Sequence, residues 1–276
     1  MILKIMHVRR IKVTPPATNR QASTKTPVST ENNGASNHQM AYIIDGALSE
    51  EFMTEVDEFR QSLPLDAKRP TVKRRFFSSA LQCPAIRTGL LEAIEAALEA
   101  TSSTKKTSTT MIDAEESKRE IGASDSTRLT TDVQNKNSLR IDKHASSSNN
   151  HQLRVHILAY MRFLEYDTVG GHLDPHTDGN KICEDTGYQS THTMLLYLRD
   201  CDQGGQTLLL EPAVIDSSNS TSSKDKKEPP LPPRVVEAVQ PKGGRILLFP
   251  HPILHEGAPV VDAPKLCLRA EVALFS

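Results

Sequence analysis

The chain has 276 residues, of which 37% are hydrophobic and 4% aromatic with no Trp, too few large apolar groups for the whole length to sit in a core. A net charge of -1 gives no bulk field to recruit nucleic acid or an anionic membrane, and no apolar run approaches the roughly 20 residues of a membrane helix. Four scattered cysteines (Cys83, Cys183, Cys201, Cys267) form no C-x-x-C pair, which fits reduced thiols in an intracellular, cytoplasmic or nuclear compartment better than a disulfide framework.

Residues 1–40 read as a polar tail without apolar periodicity. Six Lys/Arg precede the first acid, Glu31, so a basic disordered tail and an organellar transit peptide both fit. A short strand at Tyr42–Ile44 leads to a helix opening near Ser49, with Glu50 and Glu51 in its first turn and Phe52, Val56, Phe59 and Leu63 on one face. A second helix is predicted over about 85–100, with Ile86, Leu90, Leu91, Ile94 and Leu98 inward. Residues 101–151 and 216–233 are Ser/Thr/Lys-rich or proline-bearing stretches that bury too little to offset their ordering entropy. They read as disordered insertions in one domain spanning 41–276.

After residue 152 the period becomes two. In "LRVHILAYMRF" the residues Leu153, Val155, Ile157, Ala159, Met161 and Phe163 alternate with the rest. Further strand-like runs fall at 192–198, 206–211, 234–239, 244–249 and 266–275, separated by "DQGG", "QPKGG" and "FPHP". Helices followed by many short strands predict an α+β domain, with helices packed on a β-sandwich or open barrel.

The chemistry concentrates in "GGHLDPHTDGN". On a strand, residues i and i+2 share a face, so His176 and Asp178 can aim at one point. Imidazole plus carboxylate suits Fe(II), Mn(II) or Zn(II), and one more ligand from a distant strand completes a facial set with open positions. Two histidines stand late enough to supply it: His251, between prolines at a turn, and His255, on the approach to the next strand. His156, His172 and His192 read as structural or surface histidines, and Asp174 as a turn residue. Gly204-Gly205 and Gly243-Gly244 read as turn glycines, with no phosphate cradle because neither pair opens a helix.

The ordered set "RFLEY…GG…PHTD", "HTMLLYLRDCDQGGQTLLL", "VQPKGGRILLFP" and "HEGAPVVDAPK" resembles the catalytic domain of prolyl 4-hydroxylase-type, iron- and 2-oxoglutarate-dependent dioxygenases from about residue 154 to 276. The resemblance implies a double-stranded β-helix (jelly-roll) core with N-terminal helices packed against it. It implies His176, Asp178 and His255 as Fe(II) ligands, and Lys265, ten residues after His255, as the cation facing the far carboxylate of 2-oxoglutarate. Arg269, on the same strand face by parity, is the alternative anchor. Tyr166 and Tyr197 stand where relatives contact 2-oxoglutarate, with Thr193 a weaker candidate.

The implied reaction consumes O2 and 2-oxoglutarate, hydroxylates an unactivated C–H bond and releases succinate and CO2; ascorbate is the accessory reductant the family admits. The substrate is a peptidyl proline or other protein side chain, or a small molecule. Two departures weaken the proline reading: Leu266 and Leu173 stand where prolyl hydroxylases carry Trp and Tyr. Two competing classes remain, a non-catalytic barrel scaffold and a Zn(II) hydrolase, and neither requires Lys265.

Overall fold

The computed structural model describes residues 6–15, 39–66, 68, 71–107, 153–183, 186–212 and 232–275. Of the stretches read above as disordered insertions, 101–151 and 216–233, residues 108–151 and 216–231 lie outside the described residues. Among the described residues, eleven strands and three helices run in the order β1 (His7–Val13), β2 (Gln39–Asp45), α1 (Glu50–Ser62), β3 (Lys73–Ser78), α2 (Ser79–Gln82), α3 (Pro84–Thr107), β4 (Arg154–Tyr166), β5 (Leu173–His176), β6 (His192–Tyr197), β7 (Thr207–Glu211), β8 (Arg234–Val239), β9 (Ile246–Pro250), β10 (Leu254–Gly257) and β11 (Lys265–Phe275). Among the described residues no helix is long and apolar enough to cross a membrane.

The strands form a seven-stranded sheet, β1-β2-β9-β6-β11-β4-β3, and a four-stranded sheet, β5-β10-β7-β8, with antiparallel pairing throughout. This is the jelly roll that the resemblance implied. The larger sheet has apolar groups on both faces. Its outer face (Val155, Ile157, Met161, Phe163, Leu196, Leu268, Val272) meets the helices through Val56, Leu90, Ile94 and Leu98. Its inner face (Ile43, Leu164, Tyr166, Leu195, Tyr197, Phe249, Cys267) packs on Leu209 and Val239 of the smaller sheet. Parity along β4 and β11 thus divides each strand between two cores.

Local signals explain the helices. Ser49 caps α1, its Oγ accepting the Phe52 N–H at 3.1 Å, with Glu50 and Glu51 in the first turn and Arg60 in the last. The second helix continues to Thr107, seven residues past the predicted end, because nothing in "ATSSTKK" stops it.

The tail needs correction. Residues 7–13 form β1, an edge strand in register with β2 from His7↔Asp45 to Val13↔Gln39. Ile11 and Val13 alternate into the inner core, while the Arg9 fork donates to both Glu237 carboxylate oxygens at 2.8 and 3.0 Å. That contact ties the β1 edge of one sheet to the β8 edge of the other.

Glu165 is a buried polar exception on the outer face of β4. Its Oε1 accepts from Arg60 Nη1 at 2.9 Å and from Arg75 Nε, joining α1, β3 and β4. Replacing Glu165 with Gln should destabilise the domain by about 3 kcal/mol in urea unfolding, the low end for breaking a buried pair, because Asp57 still holds Arg60.

Candidate metal centre

β5 ends at His176, so Asp178 lies two residues beyond it, and the same-strand placement assumed from the sequence is corrected. Asp178 is held there because its backbone N–H donates to the His251 carbonyl at 3.0 Å. His255 lies on its own short strand, β10, directly opposite His176 in register. The ligand atoms of His176, Asp178 and His255 all fall within 4.8 Å of one another. The two Nε2 atoms stand 3.7 Å (His176) and 3.5 Å (His255) from Asp178 carboxylate oxygens.

Both imidazoles have their tautomer set by the backbone. His176 Nδ1 is 2.8 Å from the Asp174 carbonyl and His255 Nδ1 is 2.9 Å from the Ile253 carbonyl. A carbonyl can only accept, so each Nδ1 carries the proton and each Nε2 turns a lone pair toward the cluster. Burial pushes the His255 pKa down to about 4, which keeps it neutral and able to ligate near pH 7.

Asp178 is the hub of a buried network. Arg269 Nη2 donates to its Oδ1 at 2.8 Å and the Thr193 hydroxyl to its Oδ2 at 2.5 Å. The other end of the Arg269 guanidinium donates to Glu271 Oε1 at 2.8 Å. His251, 1% exposed, sits behind this group with Nδ1 3.0 Å from the Thr193 hydroxyl and Nε2 2.9 Å from Ser190 Oγ. Of the two late histidines, His255 is in the cluster and His251 is in its supporting network. His172 lies apart, bonded to the Gly170 carbonyl at the surface.

A cavity of about 420 Å³ opens between the sheets, lined by the triad, Thr193, Lys265 and Arg269 among others. Lys265 is 2% exposed and has no carboxylate partner among the described residues. Its Nζ lies 5.1 Å from the Tyr166 ring centroid and 5.9 Å from that of Tyr197, and burial lowers its pKa. Gly205 leaves room for it, and Gly204 lets the turn approach the Pro259–Val261 backbone. A Cβ on Gly204 would stand 2.4 Å from the Pro259 carbonyl oxygen, and one on Gly205 3.4 Å from Lys265 Cδ, both at positive φ.

Arg269 already serves two carboxylates, whereas Lys265 has none, so the pair divides by partner. Tyr166 lines the cavity directly. Tyr197 does not; its hydroxyl donates to Thr207 Oγ1 at 2.7 Å, and Thr207 is the residue that lines the wall. The sequence reading missed Thr207, Arg74 and Arg162. For Arg162 a signal existed: in "RFLEY" it shares the face of Leu164 and Tyr166.

Residues 161–270 match the model of the 2OG-Fe(II) oxygenase superfamily, a span that holds the triad, Lys265 and Arg269. Over that span the chain is similar to the superfamily, whose members use Fe(II), 2-oxoglutarate and O2. Among solved structures it is similar to the viral collagen prolyl hydroxylase of Paramecium Bursaria Chlorella virus-1 in complex with 2OG (14% identity, 84% of this chain and 94% of that one, TM-score 0.38). It is similar to a Pseudomonas putida prolyl-4-hydroxylase (13%, 84% and 91%, 0.40) and to HygX from Streptomyces hygroscopicus with nickel, 2-oxoglutarate and hygromycin B bound (14%, 84% and 82%, 0.43). No curated protein matches.

The buried imidazoles generate a pH prediction. Burial holds His192 and His255 near pKa 4, below the ordinary 6.5, so between those values the unfolded chain binds more protons than the folded one. Stability from these groups is therefore full above about pH 6.5 and falls as the pH drops toward 4, by up to about 1.4 kcal/mol per pH unit for each. Urea midpoints of the metal-free protein should fall between pH 7 and pH 5.

Proposed function

We propose that the chain is an Fe(II)- and 2-oxoglutarate-dependent dioxygenase of the prolyl 4-hydroxylase type, hydroxylating an unactivated C–H bond on a peptidyl proline or another protein side chain. The observation that carries this reading is the pairing, in one cavity, of two Nε2 lone pairs and a carboxylate within 4.8 Å with a buried lysine lacking an acidic partner. A hydrolase would use the three ligands and leave Lys265 buried without purpose. A keto-acid enzyme needs both.

His176, Asp178 and His255 would hold the metal, with the keto acid beside it in the cavity. Bound Fe(II) supplies dioxygen activation coupled to decarboxylation of the keto acid, so that O2, 2-oxoglutarate and R–H become R–OH, succinate and CO2. The chain's own residues do the rest. Lys265 pairs with the far carboxylate of the keto acid, and Tyr166 and Thr207 flank that end of the cavity. Thr193 and Arg269 fix the Asp178 carboxylate, and the apolar wall of Leu164, Leu195 and Phe249 excludes water from the reacting centre. Ascorbate would serve as the accessory reductant.

The small-molecule reading has one observation in its favour. Leu173, where prolyl hydroxylases carry an aromatic residue, lines the cavity, so the substrate wall there is aliphatic.

Anaerobic addition of Fe(II) and then 2-oxoglutarate should produce a weak visible charge-transfer band, and oxygen should then release succinate. Turnover supported by Zn(II) without oxygen or keto acid would sink the reading. Alanine at His176, Asp178 or His255 should abolish turnover and weaken iron binding while the fold survives; full activity in His255→Ala with a dead His251→Ala would exchange their roles.

The two cations should separate. Lys265→Ala leaves a carboxylate buried without its partner, about 3–5 kcal/mol, so the 2-oxoglutarate requirement should rise by two or more orders of magnitude at about 1.4 kcal/mol per tenfold. Arg269→Ala should instead weaken Co(II) binding about 10–100-fold in calorimetry, as loss of a ligand-orienting partner does. The reverse pattern would make Arg269 the anchor.

A further inference from the structure

Arg162 on the inner wall of the cavity is a cation answered neither by the keto acid nor by a carboxylate of the described residues. Four cations line the cavity: Arg74, Arg162, Lys265 and Arg269. Arg269 is neutralised by Asp178 and Glu271, and Lys265 is taken by the keto acid in the reading above. Arg162 is half-buried, points to the inner face with Leu164 and Tyr166, and makes no ion pair or side-chain hydrogen bond among the described residues. Elsewhere in the domain, Arg60 and Arg75 share the Glu165 carboxylate and Arg245 has that of Asp45.

The register fixes where Arg162 stands. It lies directly across from Arg269, as Tyr166 lies across from Lys265. Four residues of strand separate the two stations, about 13 Å at 3.3–3.4 Å per residue. Asp178 contacts the Arg269 station. A keto acid held between the triad and Lys265 runs toward one end, which leaves Arg162 at the other, across from Phe76 of edge strand β3. The acids on the lining do not compensate it. Asp178 is paired with Arg269, Asp174 is 90% exposed beside His172, and Glu256 stands across the cavity on β10.

We propose that Arg162 is a specificity-determining residue and that the hydroxylated molecule is an anion whose carboxylate pairs with its guanidinium. The carboxylate belongs either to an acidic side chain next to the reacting residue of a peptide or to a small acid. A guanidinium fork is matched to a carboxylate, and in this enclosed site the pair is screened less than at the surface. The inference rests on the dioxygenase reading and adds the charge of its substrate.

The test uses full-length protein with Fe(II) and 2-oxoglutarate. The probes are blocked prolyl tripeptides with Glu, Gln or Lys beside the proline, and N-acetylproline against N-acetylprolinamide. Two readouts apply: succinate release above the substrate-free rate, and the anaerobic shift of the charge-transfer band on adding each probe. At least one acid should act at tenfold or more lower concentration than its neutral partner; the peptide and small-molecule arms tell which source of carboxylate the site takes. R162Q should erase that preference, R162K should keep most of it, and R162E should turn it toward the Lys peptide.

A panel in which neutral or basic probes equal the acids, or in which every acid is silent, overturns the proposal. So does R162Q with its acid preference intact, or with its effect confined to the 2-oxoglutarate requirement. Absence of the charge-transfer band in the wild-type protein would instead overturn the dioxygenase reading itself.

Discussion

Asp178 stands beyond the last residue of β5, where no strand ladder can hold it, and its ion pair with Arg269 is what fixes its carboxylate between the two sheets. A lone buried carboxylate would be costly there. Arg269 removes that cost, and Glu271 and Thr193 prevent the arginine and the second carboxylate oxygen from being stranded in turn. The triad geometry depends on this contact more than on either histidine, because His176 and His255 are already placed by a register pair and by their own backbone carbonyls. A 2.8 Å guanidinium–carboxylate contact is a rigid spacer as well as a charge pair.

β11 shows how one strand meets structural and chemical demands together. Its outward residues Leu268, Ala270 and Val272 complete the core beneath the helices. Its inward residues Lys265, Cys267, Arg269 and Glu271 carry the polar business of the cavity, yet all are largely buried. The usual contrast of apolar-in and polar-out is therefore reversed in meaning along this strand. Burial on both faces makes the charges expensive unless each has a partner, from the protein or from a ligand. By that criterion Arg269 and Glu271 belong to the scaffold of the site, and Lys265 and Arg162 to what enters it.

Legibility along the chain followed the strength of local signals. The helix at α1 was readable because cap, first-turn acids and apolar face all fall in one short window, "SEEFMTEVDEF". β1 was not, since "HVRRIKV" has only two apolar residues on its buried face and lies next to a long polar stretch. It is a strand because β2 offers it a sheet edge and Glu237 offers Arg9 a partner, and both lie far away in sequence. Tyr197 was assigned by position to the keto-acid wall; its ring stands near Lys265, but its hydroxyl is spent on Thr207, which only the packing of β6 against β7 determines.

By itself the sequence determined the period-two β domain, the spacing that brings His176 near Asp178, and the family-like order that singles out His255 and Lys265. Those features are local, or survive as ordered motifs, so they can be read without knowing what touches what. The tertiary structure decided three things: that His251 supports the cluster while His255 joins it, that Arg269 is occupied while Lys265 is not, and that Arg162 faces the cavity without a carboxylate. Each turns on which charges find partners across strands separated by up to about a hundred residues. Pairing of that kind is a property of the register between strands, and no single stretch of the chain contains it.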